Sequence, residues 1–139
     1  MRKVIVFLMV LLLFSCGGKK QVKQPSQEYS YTTQAFKVVD EIRQAYQDKD
    51  NSRIRKNCSE SAYREIIASI KPFDKADIEF TPVLGEMDSD GFRLYVSWNG
   101  KWIYTGNETE ERGLVIFLLK GNPPKVEKIL RGSPFRYPD

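Results

Sequence analysis

Apolar and polar residues alternate along this chain with two different periods, and the change from one to the other falls at Pro72. Between Thr33 and Lys49, Ala35, Phe36, Val38, Val39, Ile42, Ala45 and Tyr46 recur on one helical face, while Lys37, Asp40, Glu41, Arg43 and Asp48 fill the other. The run Asp48-Lys49-Asp50-Asn51-Ser52 breaks that helix. Ser52 is placed to cap a short turn carrying Ile54, and Asn57 or Ser59 to cap a further helix with Glu60 in its first turn. The apolar stripe of that helix is Ala62, Tyr63, Ile66, Ile67 and Ile70, and Pro72 stops it because the residue before a proline resists helical geometry.

Beyond Pro72 the period is two. Ile78, Phe80, Pro82 and Leu84 alternate with Glu79 and Thr81, and Asp88-Ser89-Asp90-Gly91 is a hairpin signal. A second strand over Phe92 to Tyr104 sets Phe92, Leu94, Val96, Trp98, Trp102 and Tyr104 on one side, with Arg93, Ser97, Asn99 and Lys101 on the other. Gly100 inside this run predicts a bulge or sharp bend. Gly106 to Glu110 reads as a loop, and Gly113 to Leu119, apolar on both faces, as a strand covered on both sides. Gly121-Asn122-Pro123-Pro124 turns the chain into a last strand marked by Val126, Ile129 and Leu130. Phe135 and Tyr137 in the tail are packing handles. Helices followed by a meander of four strands predict an α+β fold, with N-terminal helices packed on a four-stranded antiparallel sheet.

The N-terminus follows neither period. Arg2 and Lys3 precede eleven uncharged residues, Val4 to Phe14, too few to span a bilayer at ~20 residues and of the length of a secretory h-region. This run ends in Leu13-Phe14-Ser15-Cys16, which resembles the lipobox of bacterial lipoproteins, with Phe14 bulkier than usual at its position. The resemblance implies cleavage before Cys16, diacylation of its sulfur and acylation of the new amine. Two or more acyl chains hold a protein stably on a membrane where one does so marginally. Gly17 and Gly18 open a polar tether, and the lack of Asp at position 17 favours the outer membrane, facing the periplasm, where the enteric sorting rule holds. The expected organisation is a signal peptide over 1–15, a lipidated cysteine and flexible tether over 16–31, and one domain over 32–139. About 100 residues suffice for a core that needs no metal or disulfide.

The formal charge of +4 belongs to the N-terminal segment. Arg2 and Lys3 leave with the signal, and Lys19, Lys20, Lys23 and Glu28 lie in the tether, so seventeen basic and seventeen acidic residues remain. A formally neutral domain offers no field for nucleic acid, and no nucleic-acid partner is expected. The chain has no histidine, which removes Ser-His and Cys-His machinery and the commonest zinc ligand; neither metal nor cofactor is expected. With Cys16 lipidated, Cys58 has no intramolecular partner and reads as a buried free thiol.

The order of elements resembles the nuclear transport factor 2-like superfamily, a cone in which a bent antiparallel sheet wraps over helices. Asp48-Lys49-Asp50 at the end of the first helix, Ser59-Glu60, the Trp-bearing long strand and Leu130-Arg131-Gly132-Ser133-Pro134-Phe135 carry the resemblance. A cystatin-like helix-on-sheet fold is the competitor. The superfamily includes isomerases, cyclases and non-catalytic binding proteins, so fold alone does not decide function.

Trp98 and Trp102, four apart on one strand face, either pack the core or wall an apolar ligand pocket, with Tyr46 opposite. Asp40, Glu41, Glu79 and Glu86 are candidate general bases only if enclosed; their period places Asp40 and Glu41 toward solvent. Arg53, Arg55 and Lys56 form a local basic patch. No catalytic residue is assigned. The leading expectation is a lipid-anchored envelope protein acting as a non-enzymatic binding or accessory module, with the membrane as one partner and an envelope protein or a small apolar ligand as another. A homodimer is compatible with it. The alternatives are a small-pocket isomerase or cyclase using a carboxylate base, and a structural subunit of an envelope complex joined through Val115 to Leu119.

Overall fold

The computed structural model describes residues 23–138. The expected signal peptide, Cys16 and the first part of the expected tether lie outside the described residues. Helix α1 spans Gln27–Gln47, α2 Asn51–Lys56 and α3 Glu60–Ser69. Strands β1 (Lys75–Asp88), β2 (Gly91–Tyr104), β3 (Asn107–Lys120) and β4 (Lys125–Arg131) form one antiparallel sheet in the order β1-β2-β3-β4, followed by a 3-10 turn over Pro134–Arg136. The fold is α+β, with helices N-terminal to an open four-stranded sheet.

Side-chain oxygens satisfy the exposed donors of each helix start. Ser26 accepts from Tyr29 N, Asp50 from Arg53 N and Ser59 from Ala62 N. Asp50 thus caps α2 where Ser52 was expected. Helix α1 also begins six residues ahead of Thr33, inside the expected tether. Tyr31 fixes this extra length: its ring stands 4.9 Å from that of Phe92, and its hydroxyl donates to the Gly121 carbonyl at 2.9 Å.

One face of the sheet is covered. Ala35, Val39 and Ile42 of α1, Ile54 of α2 and Ile66 of α3 are buried against Ile78, Leu94, Val96, Val115, Phe117 and Val126. The sheet edges are closed by polar groups of the helical half. At β1, Gln47 Oε1 accepts from Ile78 N at 2.7 Å and Arg43 donates to Ile78 O at 2.8 Å. At β4, Ser59 N donates to Val126 O and Val126 N to Asn57 O, a one-residue parallel bridge through Cys58. Both devices occupy edge groups that would otherwise invite another strand.

Three strand expectations are corrected. Gly100 introduces no bulge: it pairs in continuous register with Ile78 and Glu111. A Cβ there would collide with the Trp102 indole, so the glycine makes room for a ring. The register shift lies in β1 between Pro82 and Leu84, which moves Leu84 off the core face and leaves it 52% exposed. Second, β3 starts at Asn107 and has no preceding loop, because Thr105 and Gly106, both at positive φ, make a two-residue hairpin turn. Third, the cover of β3 is uneven: Val115, Phe117 and Leu119 face the helices, while on the other face Leu118 is buried and Ile116 half-buried but Leu114 is 42% exposed.

Candidate functional site

The residues expected to wall a pocket do meet. Tyr46 comes from the last turn of α1, where the helical period that buries Val39 and Ile42 also turns its ring inward. Trp98 and Trp102 come from alternate positions of β2 and stand edge to face, ring centres 6.2 Å apart and planes at 87°. Trp102 Nε1 donates to Tyr46 Oη at 2.9 Å. That hydroxyl in turn donates to the carbonyl oxygen of Tyr137 at 2.9 Å.

The space beneath the two indoles is filled by the chain's own C-terminal segment. The Tyr137 ring lies 5.4 Å from Trp98 and 5.5 Å from Trp102. Phe73 and Phe135 pack on Tyr46 at 4.9 and 5.2 Å. Trp98 Nε1 donates to the Gly132 carbonyl at 3.1 Å, tying the strand to the start of that segment. Every polar atom of the trio therefore has a protein partner. Burial pushes the Tyr46 phenol up to about 12 against the pull of the Trp102 N–H, so the hydroxyl keeps its proton and acts as a neutral relay between two hydrogen bonds. An apolar ligand reaches Trp98, Trp102 and Tyr46 only after Tyr137 leaves.

The candidate bases are spread apart. Asp40 is half-buried and bound by Arg43 at 2.7 Å and by Gln44. Glu41 accepts from the Asn57 amide at 3.3 Å, and Glu86 from the Tyr95 hydroxyl at 2.8 Å. Glu79 is exposed. The basic patch is largely paired: Arg53 with Asp48, and Arg55 with Glu60 while stacking over Tyr63. Among the described residues no three His, Cys, Asp or Glu side chains gather as metal ligands, and no helix is long and apolar enough to cross a membrane. Cys58 is buried and free, and burial pushes its thiol up to about 12 despite the nearby Lys125 charge.

Open recesses lie on the surface. A groove of about 660 Å³ follows the first turns of α1, lined by Tyr31, Gln34, Met87 and Phe92. A smaller one of about 290 Å³ lies between α3 and β4, with Glu65, Arg131, Ser133 and Arg136. Periodicity could not have found either, since both depend on where α1 and the C-terminal segment come to rest. No family model, curated protein or solved structure matches the chain.

Proposed function

We propose that this protein is a lipid-anchored, non-enzymatic binding or accessory module of the bacterial envelope, built on a nuclear transport factor 2-like domain and working through its outer surface. One observation carries the reading. The interior between sheet and helices, where a small-pocket enzyme would hold its substrate, is occupied by Tyr137, Phe135 and Phe73, locked by the Trp102–Tyr46–Tyr137 hydrogen bonds. The four candidate carboxylates sit outside that interior, each held by a local partner or open to water. The anchor rests on Leu13-Phe14-Ser15-Cys16 after a short apolar run, and the outer membrane facing the periplasm on the absence of Asp at 17.

The test is metabolic labelling with an alkyne fatty acid followed by membrane fractionation. The wild-type chain should carry the label and sediment with membranes, and Cys16→Ser should do neither. Label retained on Cys16→Ser would overturn the anchor. Turnover of any small substrate that vanishes on neutralising Asp40, Glu41, Glu79 or Glu86 would overturn the non-enzymatic half.

A further inference from the structure

Four large apolar side chains, Tyr29, Val83, Leu84 and Met87, are each more than half exposed, and all four surround the first turns of α1. Two local features bring them out. The register shift between Pro82 and Leu84 leaves Val83 without a partner on β2 and turns Leu84 from the core. Tyr29 belongs to the extra length of α1 that the Ser26 cap and Tyr31 hold in place. Tyr29, Val83 and Leu84 line a recess of about 400 Å³. Met87 lines the neighbouring groove of about 660 Å³, and Glu28 borders both. The other large apolar side chains exposed among the described residues lie elsewhere: Tyr104 at the far end of β2, Leu114 on β3 and Leu130 on β4. An apolar cluster of this kind at one end of a domain marks a surface that is covered in use.

We propose that this end of the domain rests on the surface of the membrane that holds the anchor, with Tyr29, Val83, Leu84 and Met87 entering the head-group region. The proposal rests on the lipid-anchor reading, and the place where the chain leaves the domain supplies the occupant. Helix α1 begins at the end of the sheet that carries the Asp88–Gly91 turn, since Tyr31 packs on Phe92 and bonds Gly121. Eleven residue steps separate Cys16 from Gln27, and whatever their conformation they reach at most ~40 Å. Fourteen residues of β2 at ~3.3 Å each run ~45 Å from this end to the opposite turn at Thr105-Gly106. The anchor therefore holds the apolar end near the bilayer, while the far end comes down only with the domain laid flat.

The side chains suit a bilayer interface. Tyrosine places an apolar ring and a polar hydroxyl where tails meet head groups. Val83, Leu84 and Met87 gain by leaving water and have no polar atom to desolvate apart from the thioether. The charges at this end call for a zwitterionic surface rather than an anionic one. Asp88 and Asp90 are paired with Arg93, at 3.0 and 3.8 Å, and Glu28 stands in the first turn of α1, where the helix dipole favours it. No surplus of positive charge draws this end to acidic lipid, so the contact is apolar and insensitive to salt. An anchor fixes where the domain is, and the patch fixes how it stands: upright, with the Thr105-Gly106 turn farthest from the membrane.

The experiment uses the full-length, lipidated protein in vesicles of phosphatidylcholine and phosphatidylethanolamine. In a Cys58→Ala background, Leu84→Cys, Met87→Cys and, beside the opposite turn, Asn107→Cys each carry an environment-sensitive fluorophore, its position confirmed by peptide mass spectrometry. All three sites are exposed, so circular dichroism should match the wild type. On vesicles, emission from Leu84→Cys and Met87→Cys should shift to the blue and be lost to a phospholipid spin-labelled near its head group, in high salt as in low. Emission from Asn107→Cys should do neither. Val83→Glu with Leu84→Glu should abolish the shift at Met87→Cys; a shift that persists is the dye's own and overturns the contact. Protein that floats with the vesicles without any shift overturns the contact and leaves the anchor, and equal quenching at Asn107→Cys overturns the upright stance. Protection of Leu84→Cys and Met87→Cys in native envelopes but not in vesicles gives the patch to a protein partner and overturns the membrane contact. Absence of acyl label on Cys16 removes the anchor: quenching that survives leaves the contact standing alone, and quenching lost with it removes both.

Discussion

The Trp102 indole N–H and the Tyr46 hydroxyl, 2.9 Å apart in the core, join the sheet to the first helix, and the same hydroxyl passes the connection on to the Tyr137 carbonyl. One oxygen therefore links β2, α1 and the C-terminal segment. The indole could not be buried so completely without the phenol oxygen, because an unpaired donor in an apolar interior carries its full desolvation cost. Tyr46→Phe keeps the ring contacts and removes the oxygen. It should cost about 1–3 kcal/mol, read as a lowered urea midpoint with unchanged m-value. Trp102→Ala, which also opens a cavity, should cost about 3–5 kcal/mol. A Tyr46→Phe protein as stable as wild type would mean that the relay is ornamental.

The same burial sets an alkaline limit. Tyr46 and Cys58 are both pushed up to about 12, from ordinary values of 10.0 and 9.0. In the unfolded chain each releases its proton at the ordinary value, while the folded chain holds it. Between those values the unfolded state binds fewer protons, so stability falls as pH rises. The stabilisation is complete below about pH 9 and is lost between about 9 and 12, at on the order of 1 kcal/mol per pH unit for each group in its own window. Denaturation series across that range should show the decline, and Cys58→Ala should postpone its onset toward pH 10. A flat profile up to pH 11.5 would contradict the assignment.

The buried thiol makes a kinetic prediction as well. Cys58 lies in the bridge between α2 and β4, is 4% exposed and holds its proton. A thiolate-seeking reagent at neutral pH should react only as fast as the protein opens, and fully once denaturant is added. Non-reducing electrophoresis should show no disulfide-linked dimer through Cys58. Rapid labelling of the native protein would show that the bridge is not a stable part of the fold.

The alternation of Phe92, Leu94, Val96, Trp98 and Trp102 named the core face of β2, and the stripe of α1 named its partner, because both elements are half in water along most of their length. Where that condition fails, the sequence is silent. Asn107 to Arg112 lies beyond the cover of the helices, so both its faces are polar, and only the ladder to β2 makes it a strand. Gln27 to Thr32 shows no apolar period and is held by the Ser26 cap and by Tyr31. Trp98, Trp102 and Tyr46 were legible as neighbours. That Tyr137 fills the space between them was not, because its place depends on how the chain closes after Gly132 rather than on any local pattern.

Gln47 tests how the β1 edge is closed. Its side-chain oxygen takes the Ile78 N–H at 2.7 Å, and Arg43 bonds both that oxygen and the Ile78 carbonyl. Ile78 is fully buried, so water is a poor substitute. Gln47→Leu preserves bulk and should cost about 1–3 kcal/mol, with faster hydrogen exchange at the Ile78 amide. Unchanged exchange there would mean that α1 does not serve as the edge partner.

Two glycines separate crowding from backbone conformation. Gly100 sits in regular strand geometry, with Ile78 and Glu111 as partners, so its backbone suits any residue. Its restriction is steric: the Trp102 ring lies where a Cβ would go, and that ring cannot retreat, because its N–H is held by Tyr46 and its faces by Trp98 and Tyr137. Gly106 is the reverse case. A Cβ there meets nothing within 4 Å, but its φ of +80° in the Thr105-Gly106 turn is one that L residues adopt at a cost. Gly100→Ala should therefore cost about 1–3 kcal/mol by overpacking and should change the near-ultraviolet signal of the tryptophans. Gly106→Ala should cost about 1–2 kcal/mol through the turn alone and leave that signal as it was. The spectroscopic difference matters more than the size of either loss. Equal near-ultraviolet changes in both variants would show that the Trp102 ring yields freely, and the tight aromatic core described for Tyr46, Trp98 and Tyr137 would then be wrong.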